Sequence, residues 1–402
     1  MIYSRAPRTG ARPEVELLLL CAQTRTNSET AARIETLVQE SINWNYLLET
    51  AQEHGVMPLL YWNLNTTCPE SVPRATLDQL RTYFRKNSQR NVFMAGKLLR
   101  LLSLFETHGI SAVPFKGPAL AATVYGNLAL RRQSVDLDIL VRKQDILKAK
   151  DLLLAQGYWP EEKWTPQQEA VLLQRSHEYA FVHDDDKVKV EIHWRITSKY
   201  FSFPIDSERL WERLRPSSLA GEEVMAFSPE DLLLILCVHG TIHLWQQLEL
   251  ICGVAELIRA TKGLDWTQIM EEASELGSER MLFLGLFLAS ALLGAPVPDV
   301  ILNRVRADSS VKALATWVHE RLFREVYSPP LGVLESSLFH LRARERWRDR
   351  VRYCVRLAIS PTEYDWAALT LPESLSFFYY VLRPIRLLTG KHGLIGSLRR
   401  FS

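Results

Sequence analysis

The spacing of apolar residues changes twice along the chain, and these changes limit its fold more than any other feature. From residue 14 to about 100, apolar side chains recur every three or four positions, which is typical of amphipathic helices. Between about 108 and 195, short apolar runs suited to buried strands alternate with helical segments, and beyond Pro204 the helical spacing returns. The pattern predicts an α+β fold, in which a small mixed sheet is flanked by N-terminal and C-terminal helical units.

Turn residues delimit the predicted elements of the middle segment. Gly109 precedes the first strand, Gly117 opens the first helix, and Gly157 ends the second helix. An acidic tip, Asp184 to Lys187, separates two short runs and predicts a hairpin. The predicted strands are 110–115, 135–141, 179–183 and 188–192, the predicted helices are 119–124 and 145–156, and the later helical segments are 232–259, 266–276, 281–293 and 311–323.

The chain is long enough to need several packed units. Its 402 residues exceed what one compact core usually holds, and 47% hydrophobic residues exclude wholesale disorder. We predict an N-terminal helical unit at 1–107, an α/β core at 108–204, a helical domain at 205–340 and a basic helical tail at 341–402.

Charge is unevenly distributed along the chain. The 48 Lys and Arg against 46 Asp and Glu give a formal charge of +2, which argues against a protein that coats nucleic acid along its whole surface. Residues 341–402 contain 12 basic and 5 acidic residues, a net +7, so the first 340 residues carry −5. Within the tail, arginines at almost every second position of 342–356 predict a solvated connector helix.

The cysteines and the apolar segments suggest a location. The five cysteines form no Cys-x-x-Cys motif, so buried free thiols in a reducing cytoplasm are expected. The apolar stretch Leu17–Cys21 is short and follows acidic residues, unlike a signal peptide. Leu375–Leu388 is broken by charged residues and Pro384, so it is not expected to cross a membrane. Its aromatic and basic residues are compatible with peripheral contact with a membrane surface.

Two aspartates interrupt the apolar strand predicted at 135–141. Strand side chains alternate between faces, so Asp136 and Asp138 project from one face, and the other face carries the apolar residues Val135, Leu137, Ile139 and Val141. Asp is uncommon in strands, and neighbouring carboxylates repel unless a cation compensates them. Since Mg²⁺ prefers such oxygen ligands, the pair predicts a magnesium site. The alternative is a solvent-facing pair on a half-exposed strand.

A lysine-tipped turn precedes this strand by one helix. In Val113–Pro118 a strand passes directly into a helix, with Lys116 at the turn. Gly117 lets the backbone approach a ligand, and the amides and dipole at a helix start favour anions. Lys116 adds a point charge, so the turn is a candidate site for the phosphates of a nucleotide. The alternative is a solvated lysine at an ordinary turn.

A third carboxylate lies on a later strand. Alternation within 188–192 places Glu191 on one face, together with Lys189 and His193. Three carboxylates on neighbouring strands fit two-metal phosphoryl transfer, in which one ion activates a hydroxyl and the other neutralises a triphosphate. Glu191 would serve the activating side. The alternative is an ion pair of Glu191 with Arg195 or with an arginine at 131 or 132.

These motifs resemble the bacterial uncharacterised nucleotidyltransferase family of the polymerase-beta-like superfamily. The residues that carry the resemblance are 115–120 (FKGPAL), 136–138 (DLD), 191–194 (EIHW), 236–258 and 383–387. The resemblance implies a minimal nucleotidyltransferase core, Asp136 and Asp138 as magnesium ligands, and Glu191 as the third carboxylate. It also implies transfer of a nucleoside monophosphate from a nucleoside triphosphate. Members are often encoded beside biosynthetic genes for surface polysaccharides or peptide natural products.

Three positions depart from the pattern of these relatives. Lys116-Gly117 stands where the superfamily usually has Gly-Ser, so Lys116 must take over the role of the serine. Gly117 lies 19 positions before Asp136, a long interval for the superfamily. Gly253 stands where the family often has an aspartate.

Other polar residues have structural interpretations. His239 and His243 lie one helical turn apart, but the glutamate of a zincin helix is missing, so packed or hydrogen-bonded histidines are expected. The acidic hairpin tip is expected to be solvated. His177 either contacts an acceptor or phosphate or is a structural histidine. Arg131 or Arg132 is a candidate for stabilising the charge of the transferred phosphate, and Arg131 is retained as the predicted site residue.

The sequence therefore predicts an enzyme, a cytoplasmic nucleotidyltransferase that uses Mg²⁺, or Mn²⁺, to transfer a nucleotide, AMP from ATP, to an unidentified acceptor hydroxyl. Asp136, Asp138 and Glu191 are the predicted catalytic and metal-binding residues, and Lys116, Gly117 and Arg131 the predicted nucleotide-binding residues. The acceptor is a small molecule, saccharide, peptide or protein, whereas the near-neutral charge disfavours RNA. The alternative is a catalytically inactive nucleotidyltransferase-like binding or scaffold protein within a biosynthetic assembly.

Overall fold

A computed structural model describes residues 12–198, 201, 203–205, 207–323, 332–359, 378–379 and 382–384. Most of the predicted basic tail, including most of the segment 375–388 with its predicted membrane contact, lies outside these ranges. No helix within the described residues combines the length and the apolar character needed to cross a bilayer.

Helices form the N-terminal part, as the three- and four-residue spacing predicts. They are α1 (Pro13–Cys21), α2 (Ser28–Val38), α3 (Trp44–Glu53), α4 (Met57–Thr67) and α5 (Arg74–Thr107), with a short 3₁₀ turn at Pro69–Ser71. Asparagine side chains cap two of them: Asn27 accepts a hydrogen bond from the Thr30 amide, and Asn43 accepts one from the Tyr46 amide. The second half of the 34-residue α5 joins the apolar cluster of the sheet.

A mixed five-stranded sheet follows, as predicted for the middle of the chain. Its elements are β1 (Ala112–Pro114), α6 (Gly117–Tyr125), β2 (Asp136–Val141), α7 (Ile146–Ala155), β3 (Tyr158–Pro160), α8 (Pro166–Arg175), β4 (Glu178–His183) and β5 (Lys189–His193). The strand order is β1-β2-β5-β4-β3, in which β2 and β5 run parallel and the other neighbours antiparallel. The predicted carboxylates therefore lie on β2 and β5, two neighbouring strands in the interior of the sheet, which are called the central strands below.

One face of these central strands is buried, as alternation predicts. Leu137, Ile139 and Val190 are fully buried in a cluster with α5 and α7. The prediction that Val135 shares this face is wrong. Val135 is 61% exposed because β2 begins only at Asp136. The buried face fixes the register of the strands, since a slip by one residue would turn the carboxylates into the core.

The expectation that strands are confined to residues 108–195 is wrong. After α9 (Ser207–Glu212), a second hairpin forms from β6 (Arg215–Leu219) and β7 (Glu222–Ala226). It turns at Ala220 and Gly221, whose φ angles are 53° and 94°. The sequence of β6, RPSSL, has no apolar alternation and the strand is mostly exposed, so hydrophobic spacing gives no signal for it.

Helices complete the described chain. They are α10 (Pro229–Ile242), α11 (Leu248–Ala260), α12 (Trp266–Leu276), α13 (Glu279–Leu293), α14 (Asp299–Ala307), α15 (Ser309–Leu322), α16 (Val333–Arg342) and α17 (Trp347–Ile359). The segment 232–259, predicted to be helical throughout, breaks after α10, where Leu244 and Trp245 have φ angles of 57° and 52°. Side chains from α1–α4 and α10–α15 share one apolar cluster. The domain boundaries at 107, 204 and 340 stay predictions.

The prediction of one solvated connector helix at 342–356 is wrong. The chain bends between α16 and α17, and the Arg344 side chain in the bend is 1% exposed. Its guanidinium carbon lies 4.4 Å from the ring centroid of Phe201 and 4.3 Å from that of Tyr353. Arg344 is therefore packed between two aromatic rings instead of exposed to solvent, and it attaches this part of the chain to the rest of the protein.

Candidate active site

The register of the central strands brings the predicted carboxylates to one face of the sheet. Asp138 of β2 lies directly opposite Glu191 of the parallel strand β5, and Asp136 lies opposite Lys189. On the other side of β5, Glu178 of β4 is the register partner of His193. Side chains at paired positions point to the same side of a sheet. The acidic residues of two distant segments therefore converge.

Asp138 is the buried centre of this cluster. Its side chain is 2% exposed, and its Oδ1 accepts hydrogen bonds from Lys116 Nζ at 2.6 Å and from His193 Nε2 at 3.1 Å. Burial opposes ionisation of Asp138, but the charges and hydrogen bonds of Lys116 and His193 outweigh it and hold its pKa well below the usual range. Asp138 is therefore a carboxylate at neutral pH.

Glu191 forms its ion pairs within the same cluster. It lies 3.0 Å from Lys189 Nζ and 3.5 Å from His193 Nε2, and its side chain is 13% exposed. The alternative pairing with Arg195 or with an arginine at 131 or 132 is not what the structure shows. Burial raises the pKa of Glu191, but the hydrogen bonds from His193 and Lys189 and the positive charge of His193 together outweigh this and lower it overall.

Asp136 lies at the open end of the cluster. It is half-buried at the start of β2, next to the turn that carries Gly117. Burial, and then the negative charges of Asp138 and Glu191, raise its pKa. The nearby cations therefore do not fully offset the repulsion between Asp136 and the other carboxylates. A bound divalent ion would reduce this repulsion.

His193 is a central residue to which the sequence assigned no role. Its side chain is 1% exposed, and the Phe115 ring meets it edge-on at a centroid distance of 5.0 Å. Burial lowers the pKa of His193, but hydrogen bonds to Asp138 and Glu191 raise it overall to about 9. Alternation already placed His193 on the face of Glu191. This position could have predicted the role of His193, because residues two apart on a strand point to the same side of the sheet.

The Lys116–Gly117 turn lies against the aspartate strand. Gly117 has a φ of 51°, and a Cβ there would lie 3.2 Å from the Asp136 carbonyl oxygen, so glycine is required. The amides of Ala119 and Leu120 donate to the Lys116 carbonyl, and Pro118 has no amide hydrogen. The helix start therefore offers fewer free amides to an anion than its sequence suggests, and the positive charge of Lys116 is the main attraction.

A serine from another segment lies beside this turn. The hydroxyl of Ser134 is 3.5 Å from the position that a Cβ of Gly117 would occupy. It is buried and has no hydrogen-bond partner among the described residues. The Ser134 amide donates to Asn91 Oδ1 of α5 at 2.9 Å. Ser134 was not predicted to belong to this turn. It lies 17 positions after Gly117 in the sequence, and only the fold brings it beside the turn.

The predicted nucleotide ligand Arg131 pairs with an acidic residue outside the strands. It is 7% exposed, and its guanidinium pairs with Glu249 of α11 at 2.6 Å, with Arg132 at 3.3 Å from the same carboxylate. Asn87 and Asn91 of α5 both donate to the Arg131 carbonyl, at 2.9 and 3.1 Å. These contacts hold the loop that leads into β2 and favour a positioning role for Arg131.

The remaining histidines and the acidic tip have local partners. His239 packs against His243 at a centroid distance of 4.4 Å, in line with the prediction of packed histidines. At the hairpin tip, Asp184 accepts from Trp159 Nε1 at 2.6 Å, and Asp186 pairs with Lys97 at 2.6 Å. The tip is thus partly engaged in contacts rather than wholly solvated.

The donor atoms fit a divalent cation. Ligand atoms of Asp138, Glu191 and His193 all lie within 4.8 Å of one another, and so do those of His177, Glu178 and His193. Asp136 is not among these groups, although it shares the face of Asp138. Two carboxylates held side by side, Asp138 buried and Glu191 partly exposed, provide the oxygen ligands that Mg²⁺ and Mn²⁺ prefer.

Comparison with known proteins identifies the family of the chain. No curated protein and no solved structure matches the chain significantly. A sequence model of one family does match, over residues 40–294, which include the turn, all five strands of the main sheet and helices α10–α13. The match confirms the resemblance and supports nucleotidyl transfer as the general activity. With these carboxylates on a mixed sheet and most of its length matched, the chain belongs to the uncharacterised nucleotidyltransferase family.

Proposed function

We propose that the protein is a divalent-metal-dependent nucleotidyltransferase that transfers AMP from ATP to an acceptor hydroxyl. The observation that carries the proposal is the register pairing of Asp138 with Glu191, which places two carboxylates from separate segments side by side. The acceptor hydroxyl gives up its proton to solvent as its oxygen forms a bond to the α-phosphorus, the bond between that phosphorus and the oxygen that bridges to the β-phosphorus breaks, and pyrophosphate leaves.

The carboxylates hold the metal and the acceptor. Asp136, Asp138 and Glu191 would hold Mg²⁺ or Mn²⁺, which neutralises triphosphate charge and lowers the pKa of the acceptor hydroxyl. Glu191, which is partly exposed beside Asp138, lies on the acceptor side. His193 Nε2 donates to Asp138 and lies 3.5 Å from Glu191 Oε2, so its ring helps to fix the orientation of both carboxylates.

Lys116 would exchange partners when a nucleotide binds. Its ammonium now lies on Asp138, and its side chain is 23% exposed, so phosphate oxygens can reach it. A metal ion on Asp138 would compete for the same oxygen and release Lys116 toward the leaving pyrophosphate. Gly117 lets the phosphates approach the turn, and Arg131, proposed from sequence as a nucleotide ligand, supports the loop through Glu249.

The first test compares single carboxylate variants. Purified protein is incubated with ATP and Mg²⁺, and pyrophosphate release is measured. Asp136→Asn and Glu191→Gln should abolish release while the unfolding transition is retained. Asp185→Asn, at the exposed hairpin tip, is the matched control and should react like the wild type. Wild-type rates in Asp136→Asn or Glu191→Gln would refute the assignment.

The acceptor can be identified by labelling. Each α-labelled nucleoside triphosphate is incubated with the protein, Mg²⁺ and a cell extract, and the labelled products are separated by size. We expect ATP to be the donor and a small molecule, saccharide, peptide or protein to carry the label. Label in RNA instead would contradict the expected acceptor class, and a labelled product with another nucleotide would contradict the choice of ATP.

One observation favours the alternative of a binding or scaffold protein. Lys116 and His193 compensate the charge of Asp138 without a metal, so the cluster is not forced to bind an ion. A thermal shift with ATP separates the two functions: stabilisation with Mg²⁺ that is lost with EDTA supports the enzyme. Absence of a shift under both conditions supports the scaffold.

The proposed location is the cytoplasm. All five cysteines are free, and Cys21, Cys68, Cys237 and Cys252 are buried. This is the state expected for structural thiols in a reducing compartment. Peripheral membrane contact of the tail stays a prediction from the sequence.

A further inference from the structure

A second group of possible metal ligands lies on the side of the His193 ring that faces away from Asp138. It consists of His193 itself, His177 and Glu178. His177 Nε2 lies 3.2 Å from Glu178 Oε2, and His193 Nδ1 lies 3.5 Å from the same oxygen. All three ligand atoms are within 4.8 Å of one another. The nucleotidyl transfer proposed above uses neither His177 nor Glu178.

The spacing of these atoms matches a tetrahedral metal site. Zinc–nitrogen and zinc–oxygen bonds of roughly 2.0–2.1 Å at tetrahedral angles put neighbouring ligand atoms about 3.3 Å apart. The two measured separations, 3.2 and 3.5 Å, bracket that value. Two imidazoles and one carboxylate are also a ligand set that Zn²⁺ uses in proteins. Mg²⁺ prefers oxygen ligands, so the two clusters differ in the ion that they favour.

The hydrogen bond of His193 to Asp138 prepares its other nitrogen as a ligand. His193 Nε2 lies 3.1 Å from Asp138 Oδ1, so the proton of a neutral ring belongs on Nε2. In the metal-free protein the ring is cationic and Nδ1 also carries a proton, which an ion that binds at Nδ1 displaces. Nδ1 is buried and has no hydrogen-bond partner among the described residues. A carboxylate that accepts from the far nitrogen is the usual support of a metal-binding histidine.

The scaffold holds the three residues while leaving the cluster accessible. Glu178 and His193 are register partners on β4 and β5, and the Trp194 amide donates to the His177 carbonyl at 2.9 Å. The side chains of His177 and Glu178 are 24% and 33% exposed, whereas that of His193 is 1% exposed. An ion could enter from solvent and keep a fourth position open for water or a ligand.

We propose that His177, Glu178 and His193 form a binding site for a divalent transition-metal ion of the Zn²⁺ class. An ion on Nδ1 would fix the tautomer in which His193 donates to Asp138. The site would thereby hold Asp138 in the orientation that it has in the carboxylate cluster. This proposal concerns different ligands and a different ion from nucleotidyl transfer and does not depend on it.

The test uses Co²⁺ as a spectroscopic probe and Zn²⁺ as its competitor, with the full chain in excess Mg²⁺. The wild type should bind one equivalent of Co²⁺ with the intense visible absorption of a tetrahedral ion, and Zn²⁺ should displace it. His177→Ala and Glu178→Gln should each weaken Co²⁺ binding by more than the roughly 10–100-fold that loss of an outer partner causes. Circular dichroism and urea unfolding of the metal-free variants establish that they are folded.

Two variants serve as controls for this test. His108→Ala removes an exposed histidine that bonds the Leu104 carbonyl of its own helix, and it should bind Co²⁺ like the wild type. Asp136→Asn should also retain Co²⁺ binding even though it is expected to lose nucleotidyl transfer, so the two proposals fail separately. Equal Co²⁺ affinity of folded His177→Ala and the wild type, or no tetrahedral absorption, would overturn the metal site.

Discussion

Neighbouring aspartates of one strand have opposite electrostatic situations. Asp138 is buried with two cationic partners, whereas Asp136 is half-buried and repelled by Asp138 and Glu191. Removing the charge of Asp138 leaves Lys116 and His193 uncompensated, so Asp138→Asn should lower the free energy of unfolding of the metal-free protein by about 3–5 kcal/mol. Asp136→Asn should leave it unchanged or slightly higher. Urea unfolding of both variants at neutral pH measures the difference.

This contrast determines which variant is informative about chemistry. Loss of activity in Asp138→Asn mixes a damaged ion-pair cluster with a lost metal ligand. Loss of activity in Asp136→Asn reports on the ligand itself. Equal destabilisation by the two substitutions would contradict the electrostatic description of the site.

Arg131 illustrates how a residue can matter to a site without touching its ligand. Its buried pair with Glu249 ties the loop before β2 to α11. Arg131→Met should therefore lower the free energy of unfolding by about 1–3 kcal/mol, because the buried Glu249 carboxylate keeps only Arg132, at 3.3 Å, as a partner. The double variant Arg131→Met with Glu249→Met should recover most of that loss. A variant Arg131→Met with normal stability and weakened ATP binding would instead indicate direct contact with the nucleotide.

At the scale of elements, close packing around α10 depends on two glycines. A Cβ on Gly240 of α10 would lie 2.5 Å from the ring of Trp245, and one on Gly285 of α13 would lie 2.5 Å from Cys237 Sγ. Trp245 is fully buried and cannot move aside. Gly240→Ala should therefore lower the free energy of unfolding by about 1–3 kcal/mol, measured by urea unfolding.

Gly253 of α11 provides the matched control. A Cβ there would meet Leu236 Cδ1 at 3.9 Å, an ordinary contact. Alanine also has the higher helix propensity, so Gly253→Ala should be neutral or stabilising by up to about 1 kcal/mol. If both alanine variants lost the same stability, close approach of Trp245 would not be the reason why Gly240 is a glycine.

The spacing of apolar and polar residues within a strand or helix could be read from the sequence. The other elements and residues with which it pairs could not. Alternation placed Asp136 and Asp138 together on one face of their strand, and Glu191 and His193 together on one face of theirs. The pairing of β2 with β5 depends on tertiary contacts that no local pattern encodes. The same holds for Arg131, whose partner Glu249 lies 118 residues away. Apolar spacing also gave no indication of β6, because that strand buries little of its surface.

At the scale of the whole molecule, the described C-terminal helices are connected to the rest through buried polar groups. His340 of α16 lies between the Tyr353 hydroxyl of α17, at 3.0 Å from Nδ1, and the Ile242 carbonyl of α10, at 3.2 Å from Nε2. The carbonyl can only accept, so Nε2 carries the proton and Nδ1 accepts from Tyr353. Burial, and then the charge of Arg344, lower the pKa of His340 to about 4. The native contacts therefore need a neutral ring.

This arrangement predicts how stability changes with acid. His340 binds a proton more weakly in the folded chain than in the unfolded chain, where a histidine pKa is about 6.5. Its contribution is therefore fully present above that value and is lost as the pH falls from about 6.5 through about 4. A shift of this size corresponds to on the order of 3 kcal/mol. His340→Gln should be less stable than the wild type at pH 7 but lose less stability on acidification, as measured by urea unfolding across this range. Parallel losses in the two proteins would show that another group controls acid unfolding.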